Sequence, residues 1–337
     1  MVIQPDLQVR LYPFPEDMVL NRLHDVLRPD NNEIKEVIDY LLQSSGKLLR
    51  PRLVYLCSSF YPHDASEVCD CAAAVELIHL ASLVHDDIID HSDLRRGRES
   101  LNARWGEKIS VLTGDYLFAS AFSLISQTGL VEIMKEITNT IRIMCAGEIK
   151  QLNQTGDISL EQEEYFAKSF AKTGCLFACA CKVGAMASEM PAEEAALLQK
   201  YGVCLGYAYQ IIDDVLDFTA DSRELGKPVG GDLLAGNITL PVLLALENER
   251  QGARIKNMLR DGNVDPRDLP RIIKVLEECG ALKDSLRWAQ AFVRQGLECL
   301  TALPAMDARL HLIELAHFLV HKYCSGQDIQ RMQGMEA

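Results

Sequence analysis

Six aspartates in this chain stand in two copies of one pattern. Asp86, Asp87 and Asp90 close the apolar run LIHLASLVHDDIIDHSDLRRG (77–97), and Asp213, Asp214 and Asp217 close YGVCLGYAYQIIDDVLDFTAD (201–221). An unpaired buried carboxylate costs several kcal/mol, so a cation or hydrogen bonds must offset it. With 48 acidic residues in the chain, acid-acid-x-x-acid arises about once by chance, usually on a solvated helix face. Two all-aspartate copies, each following an apolar helix pattern and opening into a Gly- and Lys/Arg-bearing loop, call for a chemical reason. On a helix the first and last members share a face, Asp86 with Asp90 and Asp213 with Asp217. The middle members, Asp87 and Asp214, turn toward waters or the groups around a metal. Carboxylates are hard oxygen donors suited to Mg2+, which keeps several waters and bridges a few carboxylates to substrate phosphates. All six aspartates are therefore candidate metal residues. Several Mg2+ ions held between two such helices would grip a diphosphate and stabilise it as a leaving group.

A diphosphate site also needs permanent cations. Arg95 and Arg96 follow the first cluster, and Lys227 in ELGKPVGGD follows the second. A third basic group, GKLLRP (46–51), opens a helix and sets Lys47 and Arg50 three residues apart, so both reach one anion beside free backbone N–H groups.

The elements that position these residues are helical. Apolar periodicity gives helices near 16–28, 31–45, 50–60, 66–91, 108–127, 130–154, 160–172, 174–188, 192–218, 238–249, 252–261, 267–279, 282–301 and 306–323. No composition shift, repeat or low-complexity tract divides the 337 residues, which read as one all-α domain. Two long polar connections, 92–106 and 219–237, each follow an aspartate cluster. A net charge of −14 disfavours nucleic acid. Eleven cysteines, mostly in apolar helical context, read as reduced buried thiols rather than a disulfide framework or zinc site. No signal peptide is expected, and no apolar run is expected to reach the ~20 residues a membrane span needs, because Asp115 and Lys182 interrupt the two best candidates. A cytoplasmic enzyme is expected.

Taken in order, GKLLRP, HLASLVHDDIIDHSDLRRG, AKTG (171–174), YQIIDDVLD and GKPVGGDL resemble the trans-polyprenyl diphosphate synthases over roughly residues 20 to 324. The medium- and long-chain branch, the heptaprenyl type among it, is the most similar through GGDLLAGNITLP. The resemblance implies an isoprenoid-synthase bundle of antiparallel helices around a central cavity, which elongates an allylic diphosphate with isopentenyl diphosphate. It implies Mg2+ on Asp86, Asp90, Asp213 and Asp217, with Arg95, Lys172 and Lys227 on the allylic diphosphate. Lys47, Arg50, His79 and Arg96 would hold isopentenyl diphosphate. Thr173, the Lys172 carbonyl and Gln210 would face the allylic cation, and the departing diphosphate would take the proton, so no side-chain base is needed. A homodimer, or a heteromer with a smaller subunit, is implied as well.

Two positions depart from the pattern. Leu48 stands where the family often has arginine, and Asn237 where many members have lysine. Ala81 and Ser82, five and four residues before Asp86, are small and would leave room for a growing chain, which implies a hexaprenyl to decaprenyl product. Val75 and Ile78 are candidates for the floor of the product tunnel. Competing readings are a geranylgeranyl or farnesyl diphosphate synthase, a terpene cyclase, an HD-type phosphohydrolase built on HDDIIDH, and a non-catalytic regulatory subunit. The intact second cluster argues against the cyclase and regulatory readings. The phosphohydrolase reading leaves DDVLD, GKLLRP and GKPVGGD unexplained.

Overall fold

The structure, a computed structural model, describes residues 14–28, 31–43, 46–219, 229–260 and 263–324. Its long axis of organisation is α4 (Ala65–Ile89), packed against α3 (Leu49–Ser58), α6 (Glu107–Thr128) and α9 (Cys175–Ala187). Across α9 lies α10 (Ala192–Thr219), which in turn packs on α15 (Ala281–Thr301). Around these stand α1 (Glu16–Val26), α2 (Asn32–Leu42), α5 (Leu101–Trp105), α7 (Val131–Asn153) and α8 (Gln162–Ser169). The C-terminal part adds α11 (Gly231–Leu234), α12 (Leu240–Leu246), α13 (Gly252–Met258), α14 (Leu269–Glu278) and α16 (Asp307–Cys324). Among the described residues the strands amount to two short hairpins, Leu94–Arg95 with Arg98–Glu99 and Leu259–Arg260 with Asn263–Val264.

Local chemistry fixes α4. The Asp64 carboxylate accepts from the N–H groups of Ser66 (2.7 Å) and Glu67 (3.1 Å), capping its start. The helix runs buried through Val75, Ile78 and Ala81 and stops at Asp90, because His91 adopts a left-handed conformation at φ +48°. The chain then reverses through Arg96 (φ +53°) and Gly97 (φ +76°), the two-residue turn of the first hairpin. Two positive φ values in that turn match the right-handed twist of the flanking strands. The long loop expected over 92–106 is thus a hairpin followed by α5, a short helix capped by the Ser100 hydroxyl on the N–H of Ala103 (3.0 Å).

The break expected between helices 160–172 and 174–188 is instead a π turn, Phe170–Gly174, which joins α8 to α9 with the N–H of Cys175 bonded to the Phe170 carbonyl. Periodicity cannot reveal one inserted residue; widened turns of this kind are frequent at functional sites. Gly147 on α7 lets that helix approach the turn: a Cβ there would collide with the Ala171 Cβ. Gly202 likewise brings α10 onto α9.

The membrane expectation needs correction. Ala65–Ile89, Glu107–Thr128 and Gln162–Ala187 are each long and apolar enough to cross a bilayer by length and composition. In the first and third, 72% and 78% of the apolar window is buried inside the protein, so the core accounts for their hydropathy. In α6 only 33% is buried, and Ile109, Val111 and Leu112 face outward. Eight of the ten described cysteines are buried as free thiols, as expected, and Cys145 on α7 is exposed.

A Cβ on Gly202 would lie 2.6 Å from the Phe177 carbonyl oxygen and 2.8 Å from the Ala178 Cα. Gly202→Ala should therefore force the α9–α10 pair apart and destabilise the fold by about 1–3 kcal/mol, read as a lowered denaturation midpoint at unchanged far-ultraviolet circular dichroism.

Candidate active site

The two aspartate clusters do not present their members alike. Asp86 is half-buried at the end of α4, and Asp90, the C-cap, is exposed. Burial pushes the Asp86 carboxyl up to about 6; Lys172 opposes this, while Glu148 and Asp90 add to it. Asp87 is turned away and buried, and both Nε (2.9 Å) and Nη2 (2.6 Å) of Arg95 donate to its Oδ1. Arg95, expected on the diphosphate, thus ties the hairpin to the end of α4, and Asp87 anchors the hairpin.

On α10, Asp213 is exposed, whereas Asp214 and Asp217 are 2% and 1% exposed. Of the expected Asp213/Asp217 metal pair, the first is thus exposed and the second enclosed. The Asp217 Oδ2 accepts the N–H of Asp232 (3.2 Å) and its carbonyl accepts the N–H of Gly230 (2.7 Å), because this residue fastens the start of α11 to α10. The Asp214 Oδ2 accepts the Tyr165 hydroxyl (2.6 Å) and its Oδ1 accepts Gln210 Nε2 (2.9 Å). Burial pushes Asp214 up to about 7, against the bonds from Tyr165 and Gln210, with Asp232 and Asp213 adding repulsion. The Gln210 Oε1 in turn accepts the Thr173 hydroxyl (2.6 Å). Thr173, Gln210, Asp214 and Tyr165 form one chain, in which the Thr173 hydroxyl donates and its oxygen can still accept.

Between the clusters stands Lys172, on the π turn. Lys172 is exposed; the protein around it works against its charge, but Asp232, Asp86, Asp90 and Glu148 outweigh that and hold its pKa above the ordinary lysine value. Carboxylates from α4, α7 and the segment after α10 therefore act on one ammonium. Lys172 shares a cavity with Tyr165, Lys168, Gln210, Asp214, Asp232 and Asn237.

A second cationic group lies at the start of α3. The Arg50 guanidinium sits 4.8 Å from the centre of the Phe177 ring, burial lowers its pKa, and its buried Nε has no hydrogen-bond partner among the described atoms. The Arg96 guanidinium lies over Gly46, where a Cβ would stand 2.7 Å from Nη2. Lys47 is exposed beside it. His79 is driven well below its usual pKa by burial and by Arg50, Arg96 and Arg95, so at neutral pH it is an uncharged imidazole. Leu48, the departure from arginine, is in a left-handed conformation and 2% exposed, its side chain in the core; a guanidinium on that vector would lose its water. Lys227 lies outside the described residues.

Sequence reasoning missed Glu76, Glu148, Tyr165, Lys168 and Asp232. Glu76, 3% exposed, is raised by burial while Arg50 and Arg96 oppose; a lone acid inside the apolar run AAAVELIHL was its signal. Asp232 was visible in GGDL. Nothing in the sequence singles out Glu148 or Tyr165, whose roles arise from packing. Ala81 is fully buried, Ser82 bonds back to the His79 carbonyl (2.9 Å), and Val75 and Ile78 are enclosed in the core. His85 Nε2 is 3.2 Å from the Val111 carbonyl oxygen and 3.7 Å from the Asp115 carboxylate, which turns it toward α6; an HD-type metal set is not assembled.

The donor chemistry fits a hard divalent cation, since oxygen ligands crowd one cleft and raise one another's pKa. Among the described residues no three His, Cys, Asp or Glu side chains converge on one point.

A helical bundle with aspartates at two helix ends, a cavity lined by Lys168 and Lys172 and a second cationic group at Arg50 is the architecture of an isoprenoid synthase, and the polyprenyl synthetase family model matches residues 31–276. The chain belongs to that family and is a prenyltransferase, which makes prenyl diphosphates its substrates. Heptaprenyl diphosphate synthase component 2 of Bacillus subtilis is 35% identical over 305 residues, covering 90% of this chain and 86% of the relative. Octaprenyl diphosphate synthase of Escherichia coli is 33% identical, covering 88% and 92%. Among solved structures, the polyprenyl synthase of Caulobacter crescentus in complex with calcium and isoprenyl diphosphate superposes with a TM-score of 0.85 at 34% identity, covering 91% and 94%.

Removing the Tyr165 hydroxyl leaves a buried carboxylate short of a donor. Tyr165→Phe should cost about 1–3 kcal/mol in stability, measured by urea denaturation, and should lower turnover by loosening Gln210 and Thr173.

Proposed function

We propose that this chain elongates an allylic diphosphate with isopentenyl diphosphate to an all-trans product in the hexaprenyl to decaprenyl range, in the cytoplasm and with Mg2+. The observation that carries the reading is the single cleft in which Lys172 sits between carboxylates of α4 and of the segment after α10, with a separate cationic group around Arg50. Asp86, Asp90, Asp213 and Asp217, with Asp87 and Asp214 beside them, would hold the metal. Bound there, Mg2+ would neutralise the allylic diphosphate and stabilise it as it leaves.

Lys172 and Lys227 grip the allylic diphosphate, and Lys47, Arg50 and Arg96 grip isopentenyl diphosphate. His79, uncharged, serves as a hydrogen-bond donor beside these arginines. When the allylic carbon–oxygen bond breaks, its electron pair leaves with diphosphate. The Thr173 oxygen, the Lys172 carbonyl and Gln210 turn lone pairs or dipoles toward the cation. The double bond of isopentenyl diphosphate attacks, and the proton released passes to the departed diphosphate. Small side chains at Ala81 and Ser82 support the longer product, as do the names of the heptaprenyl and octaprenyl relatives. Residues 1–337 are read as one synthase domain.

The purified chain with Mg2+, labelled isopentenyl diphosphate and farnesyl diphosphate should give a ladder ending at one long prenyl length. Asp86→Ala should lower turnover by about 100-fold or more. Products stopping at C20 would overturn the length assignment, and no condensation with any allylic primer would overturn the activity.

A second subunit is proposed on the outward face of α6. Ile109, Val111 and Leu112 are exposed together on a helix whose apolar window is one-third buried, more than scattered surface residues explain. Leu112→Glu should shift the mass measured by light scattering from dimer to monomer; a monomeric wild type would leave a smaller subunit as the missing half.

A further inference from the structure

The cavity that holds Lys172 contains a second ammonium for which the proposed mechanism has no use. Lys168 lies in the last turn of α8, four residues before Lys172, and both side chains line that cavity with Asp214, Asp232, Gln210 and Asn237. We propose that Lys168 is a further binding residue for the allylic diphosphate, held at the cavity wall by Asn237; this rests on the prenyltransferase reading above.

Three observations point to an anion. First, the Lys168 Nζ donates to the Asn237 Oδ1 at 3.2 Å, and among the described residues no carboxylate lies within ion-pair distance of it. A half-buried ammonium whose fixed partner is a neutral amide keeps two donors for something else. Second, Asn237 is itself placed: its backbone N–H bonds to the Asp232 carbonyl (2.8 Å), so its side chain is presented rather than loose. Third, burial and the neighbouring Lys172 both disfavour the Lys168 charge, while Asp214, Asp232 and Glu148 favour it. Two like charges sharing one cavity repel until an anion bridges them. A solvated surface lysine would instead swing out of the cavity and need no such partner.

The bridging anion must be multivalent to satisfy both groups, and a diphosphate is the multivalent anion of this reaction. The charge that Asn237 does not carry is supplied from α8, across the same cavity.

The test uses the full-length enzyme with Mg2+ and three variants: Lys168→Gln, Lys168→Arg, and Lys168→Gln combined with Asn237→Lys. Steady-state kinetics with farnesyl diphosphate and isopentenyl diphosphate are paired with calorimetric titration of inorganic diphosphate, which needs no turnover. Lys168→Gln should raise KM for farnesyl diphosphate and weaken inorganic diphosphate binding by about tenfold or more, with kcat and the KM for isopentenyl diphosphate nearly unchanged. Lys168→Arg should stay within about threefold of wild type, and Asn237→Lys should recover most of the loss, because its ammonium reaches the same wall. Unchanged farnesyl diphosphate KM and diphosphate binding in Lys168→Gln would overturn the proposal. So would an equal fall in every parameter that neither Lys168→Arg nor Asn237→Lys repairs, since that marks a packing role. A wild type that condenses no primer refutes the prenyltransferase reading instead, and the calorimetry still decides whether Lys168 holds diphosphate.

Discussion

Crowding of like charge around Lys172 is the constraint on which the cleft depends. Asp86 and Asp90 come from α4, Glu148 from α7 and Asp232 from the segment after α10, and each acts on the same ammonium. Without cations these carboxylates repel: burial pushes the Asp86 carboxyl up to about 6, and Glu148 and Asp90 add to it. Lys172, with Lys168 beside it, offsets part of that repulsion. A metal-borne diphosphate substrate is the complement of such a site: it brings cations to the aspartates and an anion to the lysines.

The rest of the fold exists to bring those helices close. Small residues let backbones touch where bulky ones would hold them apart: Gly202 seats α10 on α9, and Gly147 seats α7 on the π turn. That second contact sets Glu148 beside Lys172, so the electrostatics of the site follow from a packing decision one residue away. The core of α4 carries the same logic along its length, with alanines and valines enclosed on all sides.

How much of this was legible in the sequence follows from the range of the interactions involved. Helix periodicity gave the bundle, and paired acidic motifs with three basic groups gave the substrate class, because those are local patterns. Which aspartates reach the cleft was not legible. Asp217 shares an ideal helix face with Asp213, yet the segment after α10 takes it, and Asp87 is claimed by an arginine that returns through a hairpin. Tyr165 and Glu148 carry no signal of their own, since each acquires its role by packing against a distant segment. The π turn escaped for a different reason: a single inserted residue does not disturb a periodicity read over several turns.

The turn at the tip of the first hairpin has one more consequence. Arg96 occupies the left-handed region, which costs a non-glycine residue roughly 1–2 kcal/mol, and its guanidinium is stacked on Gly46. That conformational work is done once, when the chain folds, and not each time a substrate arrives. An enzyme that lengthens its product one unit at a time must capture the same five-carbon building block again and again. With Arg96 in the isopentenyl diphosphate role proposed above, a receptor already shaped before each capture would lose no orientational freedom in the arginine at every round, so the strain in one turn would become a saving repeated along the whole polymer.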